Sequence, residues 1–341
     1  MIAEKGGLSS KHFLPSVTQP LPIEPIIQER PPFSPMLQGA GSNRLSQLST
    51  RASLPDVDMI TGVATITDGD YKVFIEKYNE LAGGLRISTH KLLDTCTIAL
   101  TADNQYRGIG ELKTTVSIPL KEYIRLLGKP TTKATADEVR KRVKEDLETL
   151  YSISIEWREK SGKKMKDYAK MRIVTSHGIK RGTIMLGFSP EFARYLTGAY
   201  IMQYPIALLK MDERNPSSYH LGRKLLLHHS IDNNHAKGTA NLISIRSLMN
   251  VCRDIPSYQE VMRTDRAVDR RIKTPFETAL NAIEFITWEY SNARGLPLTN
   301  DQLQLTSYAD FESLYIKFEV KDFPKQTARL SSKGEEKKQN E

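Results

Sequence analysis

At 341 residues the chain has room for two domains of ordinary size plus tails, and each can bury its own core without disulfides or metal. Its 49 Lys+Arg against 40 Asp+Glu give a formal charge of +9, which favours polyanionic partners. Cys96 and Cys252 sit in apolar, helix-like stretches and read as buried thiols, no stretch approaches a membrane span of ~20 apolar residues, and Met1 to Lys11 lacks a signal peptide's apolar core, so a cytoplasmic protein without membrane partners is expected.

Residues 1–60 are rich in Pro, Ser, Gln and Arg, with Pro15, Pro20, Pro22, Pro25, Pro31, Pro32, Pro35 and Pro55 and no sustained apolar period. They are expected to form a disordered arm. Ser88 can cap a helix through Leu92, Leu93, Cys96 and Leu100 that stops at Thr101 to Asn104. Leu112 to Ile118 alternates like a strand, Leu120 to Leu127 forms a short helix ended by Gly128-Lys129-Pro130, and Ala136 to Tyr151 forms a second helix. From Ile153 onward strand material begins. The segment Arg158 to Arg181 holds nine basic residues (Arg158, Lys160, Lys163, Lys164, Lys166, Lys170, Arg172, Lys180, Arg181) against Glu159 and Asp167, and reads as basic hairpins with tips at Ser161-Gly162 and His177-Gly178.

Ser189-Pro190-Glu191-Phe192 carries a cap and a first-position proline, and is expected to open the second half with helix from Pro190 to Leu209. After a break at Asn215 to Ser218, helix resumes from Tyr219 to Ile231. A polar loop follows from Asp232 to Asn241, then a short helix from Ile245 to Cys252 and a basic helical region from Val261 to Phe285. Strand-like Phe285 to Tyr290 and Ser313 to Val320 flank a Gly-Leu-Pro loop, which is hairpin chemistry.

One layout therefore occurs twice, from Val116 to Phe188 and from Leu242 to Val320: an apolar segment, a turn, a helix with a cationic outer face, then hairpin material. Each copy suggests a winged helix-turn-helix, whose second helix can enter the DNA major groove. On the first such helix Val139, Val143, Leu147 and Leu150 share one narrow sector while Arg140, Lys141 and Lys144 fall outside it. The plainer alternative is a solvated basic face. On the second, Val268, Ile272, Phe276, Ala279, Leu280 and Ile283 share a face, with Arg263, Arg266, Arg270 and Lys273 away from it and Arg271 near its edge. Thr274-Pro275-Phe276-Glu277 also fits a capping box, which would put the arginines in a preceding turn or a kinked first segment. Surface pairing with Asp265 and Asp269 is the alternative use for these cations.

These residues carry a family resemblance. The run from Val116-Ser117-Ile118-Pro119-Leu120-Lys121-Glu122-Tyr123 to Leu126-Leu127-Gly128, the run from Phe188-Ser189-Pro190-Glu191-Phe192 to Tyr195-Leu196, and Arg270-Arg271-Ile272 with Pro275 and Ala279 resemble the replication initiators of iteron-type plasmids and related mobile elements. The resemblance covers roughly residues 85–322. It implies two pseudo-related winged-helix domains that bind directly repeated DNA at an origin and help open the duplex. It also implies monomers on the repeats, dimerisation through the first domain, and host replication proteins as partners. The long Pro-rich arm, the Asp232 to Asn241 loop and the weak similarity before Ser88 depart from the pattern.

Catalytic signatures are missing. Gly128-Lys129 has Tyr123 where a phosphate-binding loop needs its first glycine, and Pro130 follows. His228 and His229 are adjacent on a helix, about 100° apart, unlike the alternating pair that a rolling-circle nickase uses to hold metal. The cysteines form no zinc spacing. Trp157 and Trp288 read as packing beneath the hairpins rather than as base-stacking platforms.

The expected fold is α+β: two tandem winged-helix domains, 70–188 and 189–323, between disordered arms at 1–60 and 324–341. The expected function is sequence-specific double-stranded DNA binding by a replication initiator, with no cofactor, metal or catalytic residue. The expected DNA contacts are Arg140, Lys141 and Lys144, the hairpin residues Lys160, Lys163, Lys164 and Lys166, and Arg263, Arg266, Arg270, Arg271 and Lys273. Two rival readings share parts of this picture: a tandem winged-helix transcription regulator and an origin-nicking endonuclease.

Overall fold

The computed structural model describes residues 32–38, 45–46, 50, 56–68, 71–80, 85–105, 112–161, 164–197, 200–264, 268–299 and 308–324. In chain order, β1 (Phe33–Gln38), β2 (Asp56–Val57), β3 (Ala64–Asp68) and β4 (Tyr71–Ile75) precede a long helix, α1 (Ile87–Gln105). Next come β5 (Thr115–Pro119), α2 (Leu120–Leu126), α3 (Lys133–Tyr151), β6 (Ile153–Ser161), β7 (Lys164–Arg172), β8 (Val174–Lys180), β9 (Thr183–Phe188) and α4 (Pro190–Thr197). The chain continues through β10 (Tyr200–Pro205), α5 (Ala207–Lys210), α6 (Pro216–His229), α7 (Asp232–Ala236), β11 (Leu242–Ser244), α8 (Ile245–Met249) and α9 (Tyr258–Thr264). A π-helical turn (Asp269–Lys273) runs into α10 (Thr274–Asn281), and β12 (Ile286–Ser291), α11 (Tyr308–Ser313) and β13 (Tyr315–Val320) complete the fold.

Two three-stranded antiparallel sheets repeat one topology. Their orders are β5-β9-β8 and β11-β13-β12, and in both the last strand lies between the first and the second. Each sheet's first strand leads directly into a short helix, α2 or α8, and a longer helix follows before the hairpin. This is the winged-helix arrangement, present in both halves. Each copy has its own core. Val116, Ile118, Ile124, Val139, Val143, Leu147, Ile184 and Leu186 lie in one, and Ile243, Ile245, Leu248, Ile272, Phe276, Leu280, Ile316 and Phe318 in the other. Among the described residues no helix is long and apolar enough to cross a membrane.

Several expectations are corrected. The arm expected over 1–60 contains β1, which pairs antiparallel with β10 from Phe33↔Pro205 to Gln38↔Tyr200. Five of its six residues are buried, and a strand buried on both faces shows no alternation for a sequence reading to detect. Pro35 is tolerated because β1 pairs on one side only. Residues 325–341 of the expected tail lie outside the described residues.

Helix α1 runs through Thr101 and Asn104 instead of stopping there, because both side chains bond back to helix carbonyls, Thr97 O and Leu100 O. The helix expected over Pro190 to Leu209 is interrupted by β10, drawn into a strand by its pairing with β1. Ahead of it α4 packs Phe192, Ala193 and Leu196 into the first core, so the expected boundary at 189 falls before an element that belongs to the first half. Residues 232–236 of the expected polar loop are helical.

Candidate nucleic-acid interface

Helix α3 begins at a side-chain cap: the Thr132 Oγ1 accepts the Thr135 N–H at 3.2 Å. Val139, Val143, Leu147 and Leu150 are buried against the first core, which fixes the rotation of the helix. Arg140, Lys141 and Lys144 then point outward and are exposed. None of the three has an ion-pair or hydrogen-bond partner among the described residues. Their neighbour Arg142, by contrast, is held by Glu213 at 2.9 Å. The three cations that the periodicity placed outside the apolar sector are thus exposed, as is Lys133 at the start of the helix.

The wing of the first copy is the β8–β9 hairpin, and its tip is Arg181-Gly182. Both residues have positive φ, 49° and 76°, as a two-residue type I′ turn requires. His177-Gly178, expected as a tip, lies within β8, since only the 181–182 pair adopts the left-handed backbone. Lys180 and Arg181 are exposed at this tip. Both belong to the basic segment of the sequence but not to the expected contacts, since the sequence pattern points to His177-Gly178 as the turn.

The lysines expected on a basic hairpin near Ser161 do flank one, and that hairpin is distinct from the wing. Strands β6 and β7 belong to a separate five-stranded antiparallel sheet of order β2-β3-β4-β6-β7, joined through the β4–β6 pairing Ile75↔Ile153 to Tyr71↔Trp157. Lys160, Lys164 and Lys166 thus sit on a hairpin next to the wing, not in it, with Lys160 opposite Met165. Lys163 lies outside the described residues, as do the side chains of the other three.

In the second copy Ser244 caps α8, accepting the Ser247 N–H at 3.3 Å. The basic region divides. Arg263 lies on α9, ahead of the π turn and α10; its side chain and Arg266 lie outside the described residues. From Val268 the backbone runs without a break into α10, so Thr274 is not a cap: its own N–H bonds Asp269 O, five residues back. Proline inside an α-helix lacks a donor and collides with the carbonyl four residues earlier, and the wider π turn just before Pro275 accommodates both defects. Ile272, Phe276, Ala279 and Leu280 face the core. Arg270 is exposed, and Arg271 and Lys273 are half-buried. Side-chain bonds tie this helix to the wing strand, from Tyr290 OH to Glu277 at 2.8 Å and from Trp288 Nε1 to Asn281 at 3.0 Å.

The histidine pair has structural work. His228 Nε2 lies 2.9 Å from Thr239 O and 3.0 Å from Leu242 O, and His229 Nδ1 lies 2.7 Å from Asn241 Oδ1. Together they staple α6 to the segment that leads into β11. Burial of Cys96 pushes its thiol up to about 12, as for an inert core cysteine. Among the described residues no group of three or more His, Cys, Asp or Glu is placed to hold a metal.

The sequence over residues 75–210 matches the family described as Initiator Replication protein, WH1. No curated protein matches the chain. Among solved structures, the crystal structure of selenomethionine derivatives of domains 2 and 3 of RctB is similar over 81% of this chain and 96% of that one, with a TM-score of 0.41 and 9% sequence identity.

Proposed function

We propose, from the match of residues 75–210 to the family described as Initiator Replication protein, WH1, that this protein is a DNA-binding replication initiator. The observation that carries the proposal is that Arg140, Lys141 and Lys144 stand exposed, without a partner among the described residues, on a helix whose opposite face is locked into an apolar bed. Such a helix can enter a major groove, with Arg140 at a base edge and the lysines at phosphates. In the second copy Arg270, Arg271 and Lys273, on the π turn that leads into α10, would take the same role, together with Arg263 and Arg266. The hairpin residues Lys160, Lys163, Lys164 and Lys166, and the wing tip Lys180-Arg181, would add phosphate contacts around the first site. The first domain would extend through α4, and the second would begin near β10.

In this reading the protein binds repeated double-stranded sites on a plasmid or mobile element in the cytoplasm, and opens the origin by binding rather than by catalysis. A homodimer and host replication proteins are the further partners that the family resemblance implies.

The test is a mobility-shift titration on the DNA flanking the gene, or on duplexes selected from a random pool. Arg140→Ala should cost about 1–3 kcal/mol on the specific site and relax sequence preference at one position. Lys144→Ala should weaken all sequences alike and make the logarithmic salt slope shallower by about one. Unchanged binding in both variants would refute the assignment. Maintenance of a marker plasmid carrying the gene and its upstream repeats separates an initiator from a regulator, and a protein-linked nick in supercoiled DNA would reveal an endonuclease instead.

A further inference from the structure

Helix α1 is buried on nearly every side and belongs to both halves at once. Ile87 and Ile98 pack in the second core, whereas Leu92, Leu93, Cys96 and Leu100 pack in the first. At 100° per residue these sets fall on opposite faces, and Lys91 and Asp94 share the face of Ile87 and Ile98. A helix shared in this way cannot shift against one domain without disturbing the other.

Its polar residues are fastened in the same two directions. Toward the first half, Ser88 Oγ and Thr89 Oγ1 donate to Asp146 Oδ1 at 3.0 and 2.6 Å, and Arg86 pairs with Glu145 at 2.6 Å. Both acceptors are on α3, the candidate reading helix. Toward the second half, Asp94 Oδ2 accepts the Tyr219 hydroxyl at 2.6 Å and the Arg223 guanidinium, both from α6. Lys91 Nζ donates to Met211 O at 2.6 Å. The Asp94 and Arg223 side chains are only 5% and 7% exposed, so solvent does little to screen the pair.

Helix α6 in turn packs on α10. Gly222 allows its close approach to the second core, since a Cβ there would meet Leu208 Cδ2 at 2.9 Å and Phe285 Cζ at 3.3 Å. A continuous series of fixed contacts therefore runs from α3 through α1 and α6 to α10.

Strand β1 closes the same seam from outside. Met36 enters the second core and Leu37 the first. The Leu37 N–H donates to Thr101 Oγ1 of α1 at 2.9 Å, Pro32 O accepts from the Ile206 N–H at 2.9 Å, and Phe33 meets Phe323 edge-on at 5.5 Å.

We propose that α1, strapped by β1 and pinned by the Asp94–Arg223–Tyr219 cluster, is a rigid spacer that sets the separation of the two reading helices and so determines how many base pairs lie between the sequences they contact. This rests on the DNA-reading roles proposed above. Inserting two base pairs between those sequences moves one by about 7 Å and turns it by about 70°. A jointed protein follows that change; a rigid one loses one module's contacts.

Two measurements on the full chain test it. Cys96 and Cys252 are fully buried, so spin labels placed through Ala134→Cys on α3 and Ala282→Cys after α10, both exposed positions, report the distance between the helices without DNA. A single narrow distribution is expected, and a broad or multiple one overturns the proposal. On a duplex obtained by selection, two inserted base pairs should weaken binding by about 30-fold or more, and a loss below about threefold overturns it. Full chain carrying Met36→Asp with Leu37→Asp, which expels β1 from both cores, should broaden the distribution and shrink the insertion penalty. A penalty that stays at its original size removes β1 from the device. Should that variant fail to fold, Thr101→Val, which removes only the strand's anchor on α1, takes its place. If selection yields no preferred DNA, the DNA-reading assignment fails, while the label distances still decide whether the spacer is rigid.

Discussion

Asp146 shows how a single side chain can be tuned by its place in the fold. It lies seven residues after Val139 on the inward sector of α3, and burial pushes its carboxyl from the ordinary 3.8 up to about 6, against the hydrogen bonds from Thr89 and Ser88 that act to lower it. Because the folded form holds the proton more tightly than the unfolded chain, its contribution to stability is complete below pH 3.8 and is lost as pH rises through 6. At about 1.4 kcal/mol per tenfold change in proton affinity, the ceiling is about 3 kcal/mol. Chemical denaturation at pH 5 and pH 8 should therefore show part of this loss at the higher pH, and Asp146→Asn should flatten the dependence; a variant with the parent's pH profile would exclude Asp146 as its source. The residue could have been found in the sequence, since seven-residue spacing from Val139 puts it among the inward positions. Asp94 and Arg223, 129 residues apart, left no such sign, because nothing local marks one charge as the partner of another on a distant helix.

At the level of elements, periodicity served where one face is dry and the other wet. Helix α3 and the core face of α10 were legible for that reason, and the exposed Arg140, Lys141 and Lys144 followed from them. It failed for β1, which is buried on both faces, and although it placed hairpins in the basic region, a run of lysines does not say which sheet a strand joins. The wing tip was missed because Arg181 is an unusual residue for a left-handed position, where Asn, Asp or Gly is preferred. Arg181→Gly should accordingly stabilise the isolated protein by about 0.5–1 kcal/mol, visible as a higher Tm, while weakening DNA binding if the tip meets phosphate. An unchanged or lower Tm would mean that the arginine side chain makes stabilising contacts of its own.

For the molecule as a whole, the shared helix α1 joins two modules of the same strand order, and under the proposed function the pair would read one longer site. The sequence displayed the repetition but not the join, since the join is made of buried polar groups and a proline-bearing strand that composition assigns to loose chain. The account stands on both halves touching DNA, and a hydroxyl-radical footprint of the full chain on its selected duplex tests that most directly. Two protected stretches on one face of the duplex, centred about one helical turn of 10 base pairs apart, are predicted. A single stretch short enough for one module would contradict it.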